Sequence, residues 1–267
     1  MPFAQTGDIN IYYERTGAGP KLLYISGTGH DLRRPTRVFN TPLADSFDLL
    51  SYDQRGLGQT DKPDAPYSMA QYADDAARLL DAVGWDRCLV HGTSFGGMVA
   101  QELALRHPGR VEKLVLCCCA AGGAGGASYP LHELDHMEMH EKLLFRLGIS
   151  DTRLDAAWQA ANPDELKKRI AEQQALQAIG GDDADRAMGE HRQLDARARH
   201  DTWDRLPQLE LPVLVCGGRY DGQAAPAAVE ALAGRIKGAQ LNWFEGGHGF
   251  QAQDPAALEA ISAFLLG

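Results

Sequence analysis

The stretch Gly92-Thr93-Ser94-Phe95-Gly96 sets a serine between two glycines, directly behind the apolar run Leu89-Val90-His91 and directly ahead of Met98-Val99-Ala100-Gln101-Glu102-Leu103. The pattern reads as strand, tight turn and helix, the setting in which a serine is held at a strained backbone angle with its hydroxyl pushed out of a sheet. Glycine is needed at 92 and 96 because a Cβ at either position would collide with the turn. A helix starting behind Ser94 aims unpaired N–H groups at any negative charge that develops there. A Gly-x-Ser-x-Gly pentapeptide also arises by chance in a chain with 29 glycines, so the partner residues decide its meaning.

A serine hydroxyl is a weak nucleophile at neutral pH and needs a base, which in turn needs an orienting acid. Asp221 follows the apolar run Val213-Leu214-Val215-Cys216 at a glycine-bearing turn, and His248 lies in Glu245-Gly246-Gly247-His248-Gly249-Phe250. The bland counterparts are a turn aspartate satisfying its own backbone and a surface-loop histidine. A carboxylate after the preceding strand is the other place for an acid. That strand ends Cys117-Cys118-Cys119-Ala120-Ala121-Gly122, which has none, so Asp221 is preferred.

The elements that must position these residues follow from the hydrophobic pattern. Ile9 to Glu14 alternates as an antiparallel strand. Lys21 to Ile25, Asp48 to Asp53, Arg87 to His91, Val111 to Cys119, Pro212 to Asp221 and Gln240 to Phe244 read as strands of a sheet. Helical patterns lie between them: around Thr36 to Phe47, from a Ser68 cap to Val83, behind Ser94, near Pro226 to Ala233, and from Pro255 to Leu266. Strand alternating with helix predicts an α/β fold with a mostly parallel sheet covered by helices on both faces. The alternation stops after Ala120. From Gly122 to about Leu206 the chain is glycine-rich and then helical, which predicts a helical lid over 122–206 inserted into a core of 1–121 and 207–267.

The chain resembles the α/β-hydrolase family. The resemblance rests on Ser26-Gly27-Thr28-Gly29, on Tyr52-Asp53-Gln54-Arg55-Gly56-Leu57-Gly58, on the Ser94 turn, and on the Asp221 and His248 turns, in the family's order Ser, Asp, His. It implies that Ser94 attacks, His248 carries the proton and Asp221 fixes the imidazole. It also implies an oxyanion hole built from the N–H of Phe95 and one from the loop after the early strand. Thr28 is the choice there, with Gly29 the alternative because Ser26-Gly27 stands where the family more often has His-Gly. The resemblance implies an ester hydrolase or lactonase. The wording around Ile25-Ser26-Gly27 and Tyr52 to Gly56 is also similar to enol-lactonases and to amide hydrolases of pyrimidine breakdown. Carbon–carbon bond hydrolases and cofactor-free perhydrolases share the triad. Small-molecule receptors on this fold form a separate class.

Substrate contacts are expected from Gly29, His30 and Arg33 in the loop after the early strand, and from Met137 and Trp158 in the insertion. The apolar residues Met139, Leu143 and Phe145 point to an aliphatic or aromatic acyl group. Arg33 and Arg34 could take a substrate carboxylate, although a solvated pair is the commoner meaning. His132-Glu133-Leu134-Asp135-His136 matches the zinc-protease pattern His-Glu-x-x-His, and His140 continues it at helical spacing. No evident third ligand follows, so pocket lining is expected of these histidines and no metal site. No nucleotide-binding motif occurs, so no cofactor is expected.

A formal net charge of -10 argues against nucleic acid and anionic membranes, which call for clustered Lys and Arg. The partner expected is a small-molecule substrate, and a homodimer is compatible. Met1 to Thr6 has neither a basic start nor an apolar run, so a cytoplasmic location is expected. The cysteines at 88, 117, 118, 119 and 216 lie in apolar runs and read as buried thiols.

Overall fold

The structure is a computed structural model that describes residues 2–35 and 38–267. The chain forms β1 (Phe3–Thr6), β2 (Ile9–Thr16), β3 (Lys21–Ile25), α1 (Leu43–Ser46), β4 (Asp48–Tyr52), α2 (Met69–Ala82), β5 (Cys88–Thr93), α3 (Phe95–Arg106) and β6 (Val111–Cys117). Then follow α4 (Met139–Ser150), α5 (Ala156–Ala161), α6 (Pro163–Ala178) and α7 (Arg186–Ala198) without an intervening strand. The chain closes with β7 (Val213–Gly218), α8 (Pro226–Arg235), β8 (Gln240–Phe244), α9 (Phe250–Gln253) and α10 (Ala256–Leu266).

The strands make one eight-stranded sheet in the order β1-β2-β4-β3-β5-β6-β7-β8. β1 and β2 pair antiparallel, as do β2 and β4, and the pairs from β4 onward are parallel. Parallel strands covered on both faces need apolar side chains in every direction. β7 is buried throughout, and so is β5 up to its last residue. α3, which follows β5 directly, is buried from Phe95 to Ala104, as befits a helix apolar all round. α2 is amphipathic instead. A reciprocal capping box between Ser68 and Gln71 starts it, and Tyr72, Ala76, Leu79 and Leu80 turn inward.

Two local expectations change. β1 is a strand that the sequence pattern leaves unmarked, because four residues with Phe3 half exposed carry too little periodicity. The helix expected from Thr36 to Phe47 is a 3₁₀ turn at Val38–Asn40 followed by the single turn α1, with Pro42 interrupting between them. Thr36 lies outside the described residues.

His91 on β5 is fully buried between the ring edge of Tyr24 and the Cys117 thiol, and Nδ1 has no partner. Burial pushes its imidazole down to about 3, and that of His200 down to about 4. Both stay neutral in the fold but take up a proton below about 6.5 when the chain unfolds. Their contribution is therefore present at neutral pH and is lost as pH falls through that value. Buried Asp53, pushed up to about 7 by desolvation, acts in the opposite sense. The clean readout is thus a difference. Between pH 7.5 and 5.5, His91→Phe should lose about 1.4 kcal/mol less unfolding free energy than the unmodified protein in urea melts. Equal losses in the two proteins would disprove a neutral buried His91.

Candidate active site

Ser94 sits in the turn between β5 and α3 with φ 56° and ψ −118°, a conformation that a non-glycine residue adopts only when its surroundings enforce it. Enforcement comes from close backbone approach. A Cβ on Gly96 would strike the carbonyl oxygens of Ile25 and Ser26, and one on Gly92 would strike the Gly96 carbonyl. The Ser94 amide is held by the Cys117 carbonyl at 2.8 Å.

Asp221 lies just beyond β7 and His248 between β8 and α9. His248 Nε2 is 2.8 Å from Ser94 Oγ, and Nδ1 is 2.8 Å from Asp221 Oδ2. Asp221 is buried, and its Oδ1 accepts the amides of Gln223 and Ala224 at 2.8 and 2.9 Å. Both carboxylate oxygens are thereby fixed. Cys118 directly follows β6, at the other place where a strand end could carry the acid. Its Sγ lies within 4.8 Å of the Asp221 and His248 ligand atoms, but burial raises the thiol well above its ordinary range and keeps it uncharged.

The insertion helps to hold these loops. The last carbonyls of α4 lack intrahelical donors. The Ile149 carbonyl accepts the Gly222 amide at 2.9 Å and the Ser150 carbonyl accepts the His248 amide at 2.6 Å, while the Thr152 amide donates to the Tyr220 carbonyl at 2.9 Å. One helix end therefore ties the aspartate turn to the histidine turn.

The loop after β3 is set from β4. Asp53 accepts the Leu32 amide at 2.7 Å and the Gln59 amide at 2.9 Å, and Gln54 Nε2 donates to the Ser26 carbonyl at 2.8 Å. Gly27 lies beside Ser94, where a Cβ would meet the serine Cβ at an ordinary contact distance of 3.5 Å. Of the two amides weighed in this loop, that of Gly29 donates to Gln193 Oε1 at 2.8 Å. For the Thr28 amide no hydrogen bond is found among the described residues, and Phe95 is the first residue of α3.

The other expected contacts divide. His30 lines a small recess with Gly29, Arg34, Gly58 and Glu190. The Arg33 guanidinium is paired with Asp31 and Asp183, which corrects its expected role as a substrate contact because two carboxylates already neutralise it. Its neighbour Arg34 is partly buried with Nε unpartnered. Met137 is half-buried ahead of α4, and Trp158 on α5 packs under the Arg169 guanidinium. Met139 and Phe145 are exposed, so they do not form the apolar wall expected of the insertion. The stretch containing His132 and His136 is a 3₁₀ helix, Leu131–His136, and α4 begins only at Met139. With about three residues per turn, positions 132 and 136 do not share a face, which corrects the continuous helical stripe. His136 and His140 are exposed.

The sequence reading missed the inward face of α7. Gln193 and Arg197, one turn apart, are buried there, and His200 follows. Their spacing of four was the available signal, but the helix is polar overall and reads as a solvated face.

With this geometry in view, residues 20–255 match the sequence profile of the alpha/beta hydrolase fold family. The chain belongs to the α/β-hydrolase family. Among similar proteins, one from Azorhizobium caulinodans named "Putative carbamate hydrolase RutD" is 27% identical over 274 residues, covering 100% of this chain and 97% of that one. The 2-hydroxymuconate semialdehyde hydrolase of Pseudomonas sp. strain CF600 is 36% identical over 121 residues, covering 44% and 41%. The crystal structure of the enol-lactonase from Burkholderia xenovorans LB400 superposes with a TM-score of 0.79 at 25% identity over 100% of both chains. Like other α/β-hydrolases, this one carries its serine at the C-terminal edge of the parallel strands, where open sheets of this kind bind ligands. Among the described residues, no helix is long and apolar enough to cross a membrane.

Proposed function

We propose that this α/β-hydrolase cleaves a small carboxylic ester or lactone through an acyl-enzyme on Ser94. The observation that carries the reading is the unbroken chain from Ser94 Oγ through His248 to Asp221, with both links at 2.8 Å. Nδ1–H donates to Asp221, which leaves Nε2 free to accept the serine proton as Oγ bonds to the carbonyl carbon. The tetrahedral oxyanion is taken by the amides of Phe95 and Thr28, at the positive end of α3. Collapse breaks the bond to the leaving alkoxide, which takes the proton from His248. Water, deprotonated by the same histidine, then releases the acid.

Structural likeness to an enol-lactonase supports the lactone side of this reading. A second reading, cleavage of a carbamate or amide by the same groups, is supported by the name of the Azorhizobium relative. The test is steady-state assay of the purified protein on p-nitrophenyl acetate, small lactones, carbamates and amides. Many turnovers on esters or lactones are expected. Release of about one equivalent followed by a stall would indicate a receptor and overturn the proposal.

A further inference from the structure

A cavity of about 70 Å³ lies beneath the insertion, lined by Met98, Ser128, His132, Arg197 and His200 among others and by no carboxylate. Met98 is one turn beyond Ser94 on α3. Arg197 is only 6% exposed. Its Nη1 donates to the Tyr129 carbonyl at 2.7 Å, and Nε has no partner. His132 Nδ1 and both ring nitrogens of His200 are also buried without hydrogen bonds. A buried guanidinium without a counter-charge is costly, and four unsatisfied nitrogens around one cavity are not expected of a finished core.

The surroundings add to the positive charge. Burial, with repulsion from Arg146 on α4 added, pushes the Arg197 guanidinium down to about 10. Among the described residues neither Arg146 nor Arg34 has a carboxylate within ion-pair distance. Asp31 acts on Arg34 but is paired with Arg33, and Glu190, which acts on both Arg34 and Arg146, is paired with Arg186 at 2.9 Å. Glu102 and Asp201 act on His200, and Glu102 is paired with Arg205.

We infer that this cavity receives a carboxylate carried by the substrate, with Arg197 as its main partner and His132 and His200 as further donors. The inference rests on the hydrolase reading and deepens it: the ester or lactone is one whose acyl part bears a second, anionic carboxylate. Met98, one turn behind Ser94 in α3, is the side chain that joins the cavity to the helix of the nucleophile. Half-esters of short dicarboxylic acids carry both groups, the ester and the anionic carboxylate, in one small molecule.

The experiment compares the methyl half-ester of glutaric acid with methyl butyrate, and in parallel measures inhibition of p-nitrophenyl acetate cleavage by glutarate and by the neutral glutaramide. The unmodified protein should prefer the anionic ester by at least tenfold in kcat/KM, mainly through KM. Glutarate should inhibit competitively and glutaramide should not. In Arg197→Met the anionic preference should fall tenfold or more, with partial rescue in Arg197→Lys, since a guanidinium–carboxylate pair is bidentate and an ammonium pair is not. The inhibitor pair needs no variant, so a variant that fails to fold leaves the test intact. Equal kcat/KM for the two esters together with equal inhibition by the two probes would overturn the anion site while the hydrolase stands. Turnover of neither ester nor p-nitrophenyl acetate would instead remove the hydrolase reading itself.

Discussion

Ser94→Ala is expected to lower kcat on p-nitrophenyl acetate by about 10⁴- to 10⁶-fold while leaving the fold intact. The size follows from the roles proposed above: without Oγ there is no atom within reach of both His248 and the substrate carbonyl, and only binding and the amide donors remain. The fold should survive because alanine keeps the Cβ that the turn already accommodates, and Oγ contributes one partly solvated hydrogen bond. Ser94→Gly separates the two aspects further. At φ 56°, ψ −118° a side chain is held under backbone strain, worth about 1–3 kcal/mol, against which glycine loses about 0.5–1 kcal/mol of chain entropy. Glycine should therefore be equally inactive yet no less stable than serine. Steady-state kinetics with thermal melts on both variants checks this, and an alanine variant retaining more than a tenth of the activity would remove Ser94 as nucleophile.

Gly96→Ala should be among the most damaging single substitutions in the chain. Its Cβ would sit 2.5 Å from the Ile25 carbonyl carbon and 2.6 Å from the Ser26 oxygen, both backbone atoms at the end of a central strand. No side chain can swing aside there. The loss should be about 3 kcal/mol or more, a fall in Tm of roughly 6–12 °C, together with loss of activity as the loop bearing Thr28 is pushed away from Ser94. Gly234→Ala is the matched control. That glycine lies inside α8 with nothing within 4 Å of its would-be Cβ, so the same added methyl should stabilise by about 0.5–1 kcal/mol. Similar melts for the two variants would show that close approach at Gly96 does not govern the turn.

Ser94, Asp221 and His248 were legible in the sequence because each is governed by its neighbours. The glycines at 92 and 96 permit one kind of turn, the apolar runs before 94, 221 and 248 are strands of one sheet, and parallel strands bring their C-terminal ends to one edge. Local chemistry thus determined the family, the mostly parallel sheet and the three residues that meet, while the order of the strands in the sheet came only from the structure. The environment around them was decided by contacts between distant segments. Gln193 reaches Gly29 across 164 positions and Asp183 reaches Arg33 across 150. Only those contacts show that the Gly29 amide is already engaged and that Arg33 is already neutralised. The insertion is the clearest case. Its sequence periodicity suggested an apolar wall from Met139 and Phe145, whereas the docking of α7 turned Gln193 and Arg197 inward and left those apolar side chains outside. Hydrophobic patterning predicts which face of a helix is buried only when burial is driven by apolar area. A polar face buried around a cavity leaves no such trace, and it becomes visible only once the helix is packed.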